Sequence, residues 1–178
     1  MDSKESHTMD RVCIFIDGSN LYFQLKELEA KVKIDYHRLS LALTGEERKL
    51  VRTYYYACPP PDPQVDSYDD QHKFFSYLKN TPYLELRFGH LEMRGDAQVE
   101  KGVDVRIAID MVSLAYAGAY DAAVLISNDA DLAPAMDKIK DLGKHVEYAY
   151  FSRKTVQLVE SCDLAVQVNQ EILQKCRV

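Results

Sequence analysis

Three aspartates follow two short apolar runs. Asp17 ends the run 11–17, and Asp129 and Asp131 come just after the run 120–126. Apolar residues without alternation, closed by turn residues and followed by a helical pattern, predict a strand buried on both faces of a parallel sheet. The carboxyl ends of such strands are where open α/β sheets bind ligands. The three carboxylates are therefore candidates for chemistry, although Asp17 could equally serve only as the cap of the next helix.

A fourth aspartate heads an apolar helical stripe. Asp104 is followed at intervals of three or four residues by Ile107, Ala108, Met111 and Ala115. A carboxylate on a buried stripe is costly unless it is paired or bound to metal. The alternative is a favourable charge in the first helical turn, which contributes about 0.3–1 kcal/mol.

These four aspartates together predict a metal site. Carboxylates that converge at one sheet edge repel one another and raise each other's pKa unless a divalent cation neutralises them. Oxygen-only ligands favour Mg²⁺ or Mn²⁺, and such an ion activates water and stabilises the leaving oxygen of a phosphodiester. We expect Asp17, Asp104, Asp129 and Asp131 to converge in one acidic cluster, whose charge such an ion would neutralise. Asp110 lies on another helix face and is either a supporting group or a solvated charge.

The elements that must position these residues alternate between strands and helices. This alternation predicts an α/β fold with a right-handed, doubly wound parallel sheet. Further strands are predicted over 51–58, 83–91, 145–151 and 163–168, with 83–91 and 163–168 near sheet edges. Helices are predicted over 21–30, 36–43, 67–78, 132–142 and 153–160, and a loop over 93–102.

Composition narrows the function classes. With 178 residues, of which 47% are hydrophobic and 28% charged, one globular domain is expected over 11–168, between tails of 1–10 and 169–178. The sequence has no span long enough for a bilayer and no signal-peptide pattern, so the cytoplasm is the expected location and no membrane the expected partner. The scattered cysteines argue against disulfides and structural zinc.

The net charge of −6 argues against a protein that coats nucleic acid by bulk electrostatics, but it is compatible with a nuclease whose acidic site binds cations. Other phosphate chemistries fit less well. The segment after the first run lacks the glycine-rich turn of a dinucleotide site. A phosphatase of the haloacid dehalogenase type needs a second aspartate two positions after Asp17, where this chain has Ser19.

Three segments in order resemble the successive motifs of the NYN domain, in the LabA-like branch of the PIN-like ribonuclease superfamily. They are Phe-Ile-Asp-Gly-Ser-Asn at 15–20, Lys-Gly-Val-Asp at 101–104 and Ser-Asn-Asp-Ala-Asp-Leu at 127–132. The resemblance covers roughly 11–168. Many members of the family carry Gly, a small residue and Phe where this chain has Asn128, Ala130 and Leu132. These departures leave every acid in place and bear on pocket shape and substrate preference.

The resemblance implies a PIN-like, three-layer α/β/α sandwich with a mostly parallel central sheet of strand order 3-2-1-4-5. It implies a metal-dependent endoribonuclease with Mg²⁺ or Mn²⁺ as cofactor and RNA as partner. Asp17, Asp104, Asp129 and Asp131 would hold the metal, while Asn20 and Ser127 would orient acids, water or the substrate phosphate. The alternative is a catalytically weak module for RNA binding or regulatory protein interaction. A homodimer is compatible with either function.

An acidic protein that binds an acidic polymer needs local positive charge. Lys101, Arg94, Arg106 and Arg87 come from segments close to Asp104 in sequence, so we expect them to form a basic rim that binds substrate. The alternative is a set of unrelated solvated charges.

Overall fold

The computed structural model describes residues 9–28, 33–59, 68–94 and 97–178. The strands are β1 (Arg11–Asp17), β2 (Lys49–Ala57), β3 (Leu84–Phe88), β4 (His90–Arg94), β5 (Ala97–Lys101), β6 (Ala122–Ile126), β7 (His145–Tyr150) and β8 (Leu164–Gln167). The helices are α1 (Gly18–Glu27), α2 (Tyr36–Thr44), α3 (Tyr68–Lys79), α4 (Val103–Tyr116), α5 (Ala133–Asp141), α6 (Val156–Ser161) and α7 (Gln170–Lys175). A short 3₁₀ turn, Ala130–Leu132, precedes α5.

The central sheet has six parallel strands in the order β3-β2-β1-β6-β7-β8. The five strands of the expected 3-2-1-4-5 order occupy adjacent positions, and β8 extends the sheet by one edge strand. The predicted α/β class is therefore confirmed. Because β1 lies between β2 and β6, every residue of β1 after Arg11 is buried.

Two apolar cores flank the sheet and make the three layers. Alternate residues of β1 point to opposite faces: Ile14 and Ile16 pack in the core under α1, α2, α3 and α7, and Phe15 packs under α4, α5 and α6. The predicted stripe of α4 contributes Ile107 and Met111 to the second core, both fully buried. This layering fixes the starts of α1 and α4 near the carboxyl edge of the sheet.

The structure corrects one stretch of the sequence-based assignment. The segment predicted as one strand over 83–91 divides at Gly89 into β3 and β4, and the segment 93–102, predicted as a loop, holds most of a β4–β5 antiparallel hairpin. Each hairpin strand has only five residues, of which two are apolar. An apolar pattern that short does not separate a strand from a loop.

The segment 169–178, expected as a tail, contains α7. Asn169 caps this helix, Leu173 and Cys176 are buried, and Arg177 bridges to Ile34. A six-residue helix gains little stability by itself, so it is this packing that orders it. Of the expected tail 1–10, only Met9 and Asp10 belong to the described residues. Within the described part of the chain, no helix has the length and apolar character needed to cross a bilayer.

Candidate active site at the carboxyl edge of the sheet

The site forms where β1 and β6 end side by side. Ile16 pairs with Ile126 in parallel register, so Asp17 and Ser127 are the next residues of two adjacent strands. The chain must turn at once from β1 into α1. Gly18 permits this turn, because a Cβ atom there would lie 2.6 Å from the backbone oxygen of Tyr56.

Asp17 is the most buried carboxylate of the four predicted ligands, with 4% of its surface exposed. Its Oδ1 accepts a hydrogen bond from the backbone N–H of Asn20 at 3.1 Å, and Asp17 is therefore the N-cap of α1. Its Oδ2 accepts from Nδ2 of Asn20 at 2.6 Å and from Oγ of Ser127 at 3.0 Å. The capping role and a chemical role are compatible, because three donors hold one carboxylate in a single orientation.

Ser127 connects the two strand ends. Its hydroxyl is fully buried, donates to Asp17 and accepts from the backbone N–H of Asp129 at 3.1 Å. Asp129 in turn caps the 3₁₀ turn by accepting from the backbone N–H of Asp131 at 3.0 Å. The site loop after β6 is therefore fixed to the carboxylate that ends β1.

Asn20 and Asn128 form the other side of the network. Oδ1 of Asn20 accepts from the backbone N–H of Asn128 at 3.3 Å, and Oδ1 of Asn128 accepts from the Tyr148 hydroxyl at 2.6 Å. The Thr155 hydroxyl donates to the carbonyl oxygen of Asn128 at 2.9 Å. Side chains from α1, β7 and the β7–α6 connection thus position the loop that carries Asp129.

The electrostatics of Asp17 reflect this enclosure. Burial raises the pKa of its carboxyl group above the usual value, and the hydrogen bonds from Asn20 and Ser127 oppose that rise. The negative charge of Asp129 raises the pKa of Asp17 further. The two carboxylates therefore interact across the strand ends, and a cation between them would relieve the repulsion.

Comparison with known proteins gives the family. The NYN domain family matches residues 11–169, which is nearly the whole chain. The chain belongs to the NYN domain family. A comparison with curated proteins gives no significant match.

One solved structure similar to this NYN domain has the same fold. A protein of unknown function from Vibrio parahaemolyticus is 22% identical and superposes with a TM-score of 0.75, covering 94% of this chain and 98% of that one. At this identity the likeness shows a shared fold alone. A UDP-glucosyltransferase from Polygonum tinctorium, 15% identical, reaches a TM-score of only 0.37 over 83% of this chain and 30% of that one, and it supports no statement about this chain.

The donor set of this NYN domain fits a divalent cation in part. Asp17 and Asp129 are oxygen donors that repel each other, and Mg²⁺ is commonly held by one or two carboxylates while it keeps several waters. Across the described residues, however, no three His, Cys, Asp or Glu side chains are grouped so that they could hold a metal ion. Asp104, half-buried in the first turn of α4, and the exposed Asp131 do not complete such a group.

The residues of the predicted basic rim differ in the contacts that they make. Arg106 donates to the carbonyl oxygen of Phe88 at 2.6 Å and lies 4.0 Å from Asp110. Arg87 forms an ion pair with Asp110 as well, and its guanidinium lies over the Tyr54 ring. Half-buried Lys101 ends β5, and the side chain of Arg94 lies outside the described residues. The basic rim therefore stays a prediction.

Asp110 takes part in a network that joins α4 to the sheet. Besides the two arginines, its Oδ2 accepts from the hydroxyl of Tyr56 at 3.0 Å. Tyr56 is fully buried in β2, and Asp110 pairs with Arg87 of β3. Its contacts hold α4 against β2 and β3.

Sequence reasoning assigned no role to Tyr148 and Thr155. Tyr148 sits in the buried β7 between Val146 and Tyr150 on the same face, and nothing in that alternation marks its hydroxyl as the partner of Asn128. Thr155 also donates its backbone N–H to the Tyr148 oxygen at 3.2 Å. Thr155 falls within the helix predicted over 153–160, whereas in the structure it precedes α6 and its side chain bonds the carbonyl oxygen of Asn128.

Proposed function

We propose that this NYN domain is a divalent-metal-dependent endoribonuclease that hydrolyses RNA phosphodiester bonds at the carboxyl edge of β1 and β6. NYN domains are in general nuclease-type modules. The observation that carries the proposal is Asp17, a buried carboxylate held by three hydrogen bonds beside the second carboxylate of Asp129. Burying an ionised carboxylate is costly, and neighbouring negative charge adds to that cost. Such an arrangement is typical of a functional site.

Mg²⁺ or Mn²⁺, bound to Asp17 and Asp129, would supply an activated water and neutralise the leaving oxygen of the phosphodiester. Asn20 and Ser127 orient the Asp17 carboxylate through their hydrogen bonds to Oδ2. We assign Asp104, in the first turn of α4, and Asp131 to the same metal environment, as the resemblance to the family implies.

The alternative is an NYN domain that binds RNA or a regulatory protein with weak or no turnover. It is favoured by the finding that, among the described residues, no three His, Cys, Asp or Glu side chains are grouped so that they could hold a metal ion. Membership of the LabA-like branch, a cytoplasmic location and a homodimer stay predictions of the sequence.

The deciding experiment is cleavage of labelled RNA by the purified protein with Mn²⁺, with Mg²⁺ and with chelator. We expect metal-dependent cleavage by the wild type and none by Asp17→Asn. A matched control is Asp137→Asn, which removes an exposed carboxylate from α5 and should cleave as the wild type does. If the wild type binds RNA without cutting it in either metal, the binding module is the correct assignment.

A further inference from the structure

Two exposed aromatic rings lie on α1, the helix that begins at the candidate active site. Tyr22 and Phe23 are 61% and 60% exposed, although large aromatic side chains are usually buried. The core-facing side of α1 is formed by other residues, Leu21 and Gln24 among them. At about 1.5 Å of rise per residue, Tyr22 is only about 7.5 Å along the helix from Asp17.

The two rings pack against each other edge to face, with centroids 5.5 Å apart and an interplanar angle of 73°. This geometry restrains both side chains and leaves ring surface open to solvent. Less side-chain entropy is lost when a flat partner stacks on a ring that is already restrained. The pair of Tyr22 and Phe23 is hereafter the aromatic pair.

A basic loop crosses between the aromatic pair's helix and the active site. On the α1 side, the backbone N–H of Phe151 donates to Oε1 of Gln24 at 3.2 Å, and the hydroxyl of Ser152 donates to Oε2 of Glu27 at 3.1 Å. On the other side, Thr155 bonds the carbonyl oxygen of Asn128. Residues 152–155 are thus held between α1 and the loop that carries Asp129.

The positive charges on this loop are available to an anion. Arg153 and Lys154 are both exposed, and neither forms an ion pair within the described part of the protein. Lys154 lies over the Tyr150 ring, 5.1 Å from its centroid. Lys26 adds a third exposed cation in the last turn of α1. By contrast, Arg87 and Arg106 on the α4 side both contact Asp110.

We propose that the aromatic pair stacks unpaired bases of single-stranded RNA, while Arg153 and Lys154 bind the adjoining phosphates and direct the strand to Asp17. This inference rests on the proposed function, because it names the substrate class of the same site. Every base has a π face, so stacking of this kind tolerates sequence. In an RNA duplex each base face is covered by the neighbouring base, so the aromatic pair would find no free base face to stack on.

The test is direct binding of a short single-stranded RNA and of its duplex, measured in chelator so that no metal-dependent cleavage occurs. We expect the wild type to prefer the single strand. Stacking of one base corresponds to roughly 5- to 150-fold in affinity, so Tyr22→Leu with Phe23→Leu should lose at least about 5-fold. Leucine keeps the apolar surface and removes the π face, and Tyr22→Trp should retain binding. The control Tyr116→Leu removes an even more exposed aromatic side chain at the C-terminal end of α4.

The charge contribution has its own variant. Arg153→Gln with Lys154→Gln should weaken binding of the single strand and reduce the slope of log affinity against log salt by roughly 1.4, or about 0.7 for each lost phosphate contact. The control Lys73→Gln with Lys79→Gln removes two exposed cations from α3 and should leave the slope unchanged.

The outcomes separate the two proposals. If the wild type cleaves RNA in the presence of metal, and the double leucine variant binds and cleaves single strands equally well, the stacking role of the aromatic pair is refuted and the proposed function stands. Equal affinity of the wild type for single strand and duplex also refutes the stacking role. If the wild type neither binds nor cleaves RNA, both the proposed function and this inference are refuted.

Discussion

The hydroxyl of Ser127 is the point at which a small change should have a large effect. Ser127→Ala removes one oxygen atom that donates to Asp17 and accepts from the backbone of Asp129. The residue is fully buried, so water does not replace the lost group readily. The substitution leaves the apolar core unchanged, which makes the polar network the sole cause of any effect.

The magnitude follows from the two lost hydrogen bonds. A hydrogen bond to a charged group contributes about 1.5–3 kcal/mol, and a neutral one about 0.5–1.5 kcal/mol. Asp129 is only half-buried, so its freed N–H regains part of its loss from solvent. We therefore expect the free energy of unfolding to fall by about 2–4 kcal/mol. For a chain of 178 residues this corresponds to a Tm lower by roughly 5–15 °C.

The assay is urea unfolding at neutral pH with a thermal scan, and Ser113→Ala serves as the control. Ser113 is exposed and donates a longer bond, 3.3 Å, to the carbonyl oxygen of Asp110, so its removal should stay within about 0.5 kcal/mol. Equal denaturation midpoints for Ser127→Ala and Ser113→Ala would show that the hydroxyl does not hold the two strand ends together.

Three further predictions concern charge at the same site. Because the pKa of Asp17 is raised in the folded state, the contribution of this carboxyl group to stability is greatest below the usual carboxyl pKa of about 4. That contribution is lost as pH rises through the folded pKa. Asp17→Asn should abolish this loss, and identical pH profiles of unfolding for the wild type and the variant would contradict the burial argument. Millimolar Mn²⁺ should raise the Tm of the wild type by mass action, whereas a Tm equal to that in chelator would argue against a metal site. Asn20→Ala should lower RNA cleavage and stability together, because it removes the 2.6 Å hydrogen bond to Asp17; unfolding and cleavage equal to the wild type would show that Asn20 does not orient the acid.

The central strands of the sheet could be predicted from the sequence because complete burial requires a continuous run of apolar residues. A strand covered on both faces must be apolar throughout, so β1 and β6 could be predicted. Their adjacency, which brings Asp17 and Ser127 to one edge, was implied by the strand order of the family that the sequence resembles. The hairpin β4–β5 and the helix α7 could not be predicted. Each strand of the hairpin has five residues and α7 has six, and these segments contain too few apolar residues to show a strand or helix periodicity.

The candidate site was predictable as an acidic edge but not as a geometry. The parallel strands fix the backbone positions of Asp17 and Asp129. The distance of Asp104 from these two residues depends on how α4 packs on the sheet, and the spacing of residues in the sequence does not predict that packing. The supporting hydroxyl of Tyr148 comes from a strand predicted only as core. Its role depends on the partner that the fold brings to it.

Asp129 offers the most direct test of whether these acids catalyse RNA cleavage or only cap local structure. Asn caps about as well as Asp, and the bond from the backbone N–H of Asp131 is retained by an Asn oxygen. Asp129→Asn should therefore fold as the wild type does.

The decisive measurement is the rate of metal-dependent RNA cleavage by Asp129→Asn, Asp104→Asn and the double variant, each checked for unchanged unfolding. We expect each single variant to lose orders of magnitude in rate. The double variant should be about as inactive as either single one, since ligands of one metal act as a unit. Full activity of both single variants would contradict the assignment of catalysis to these residues.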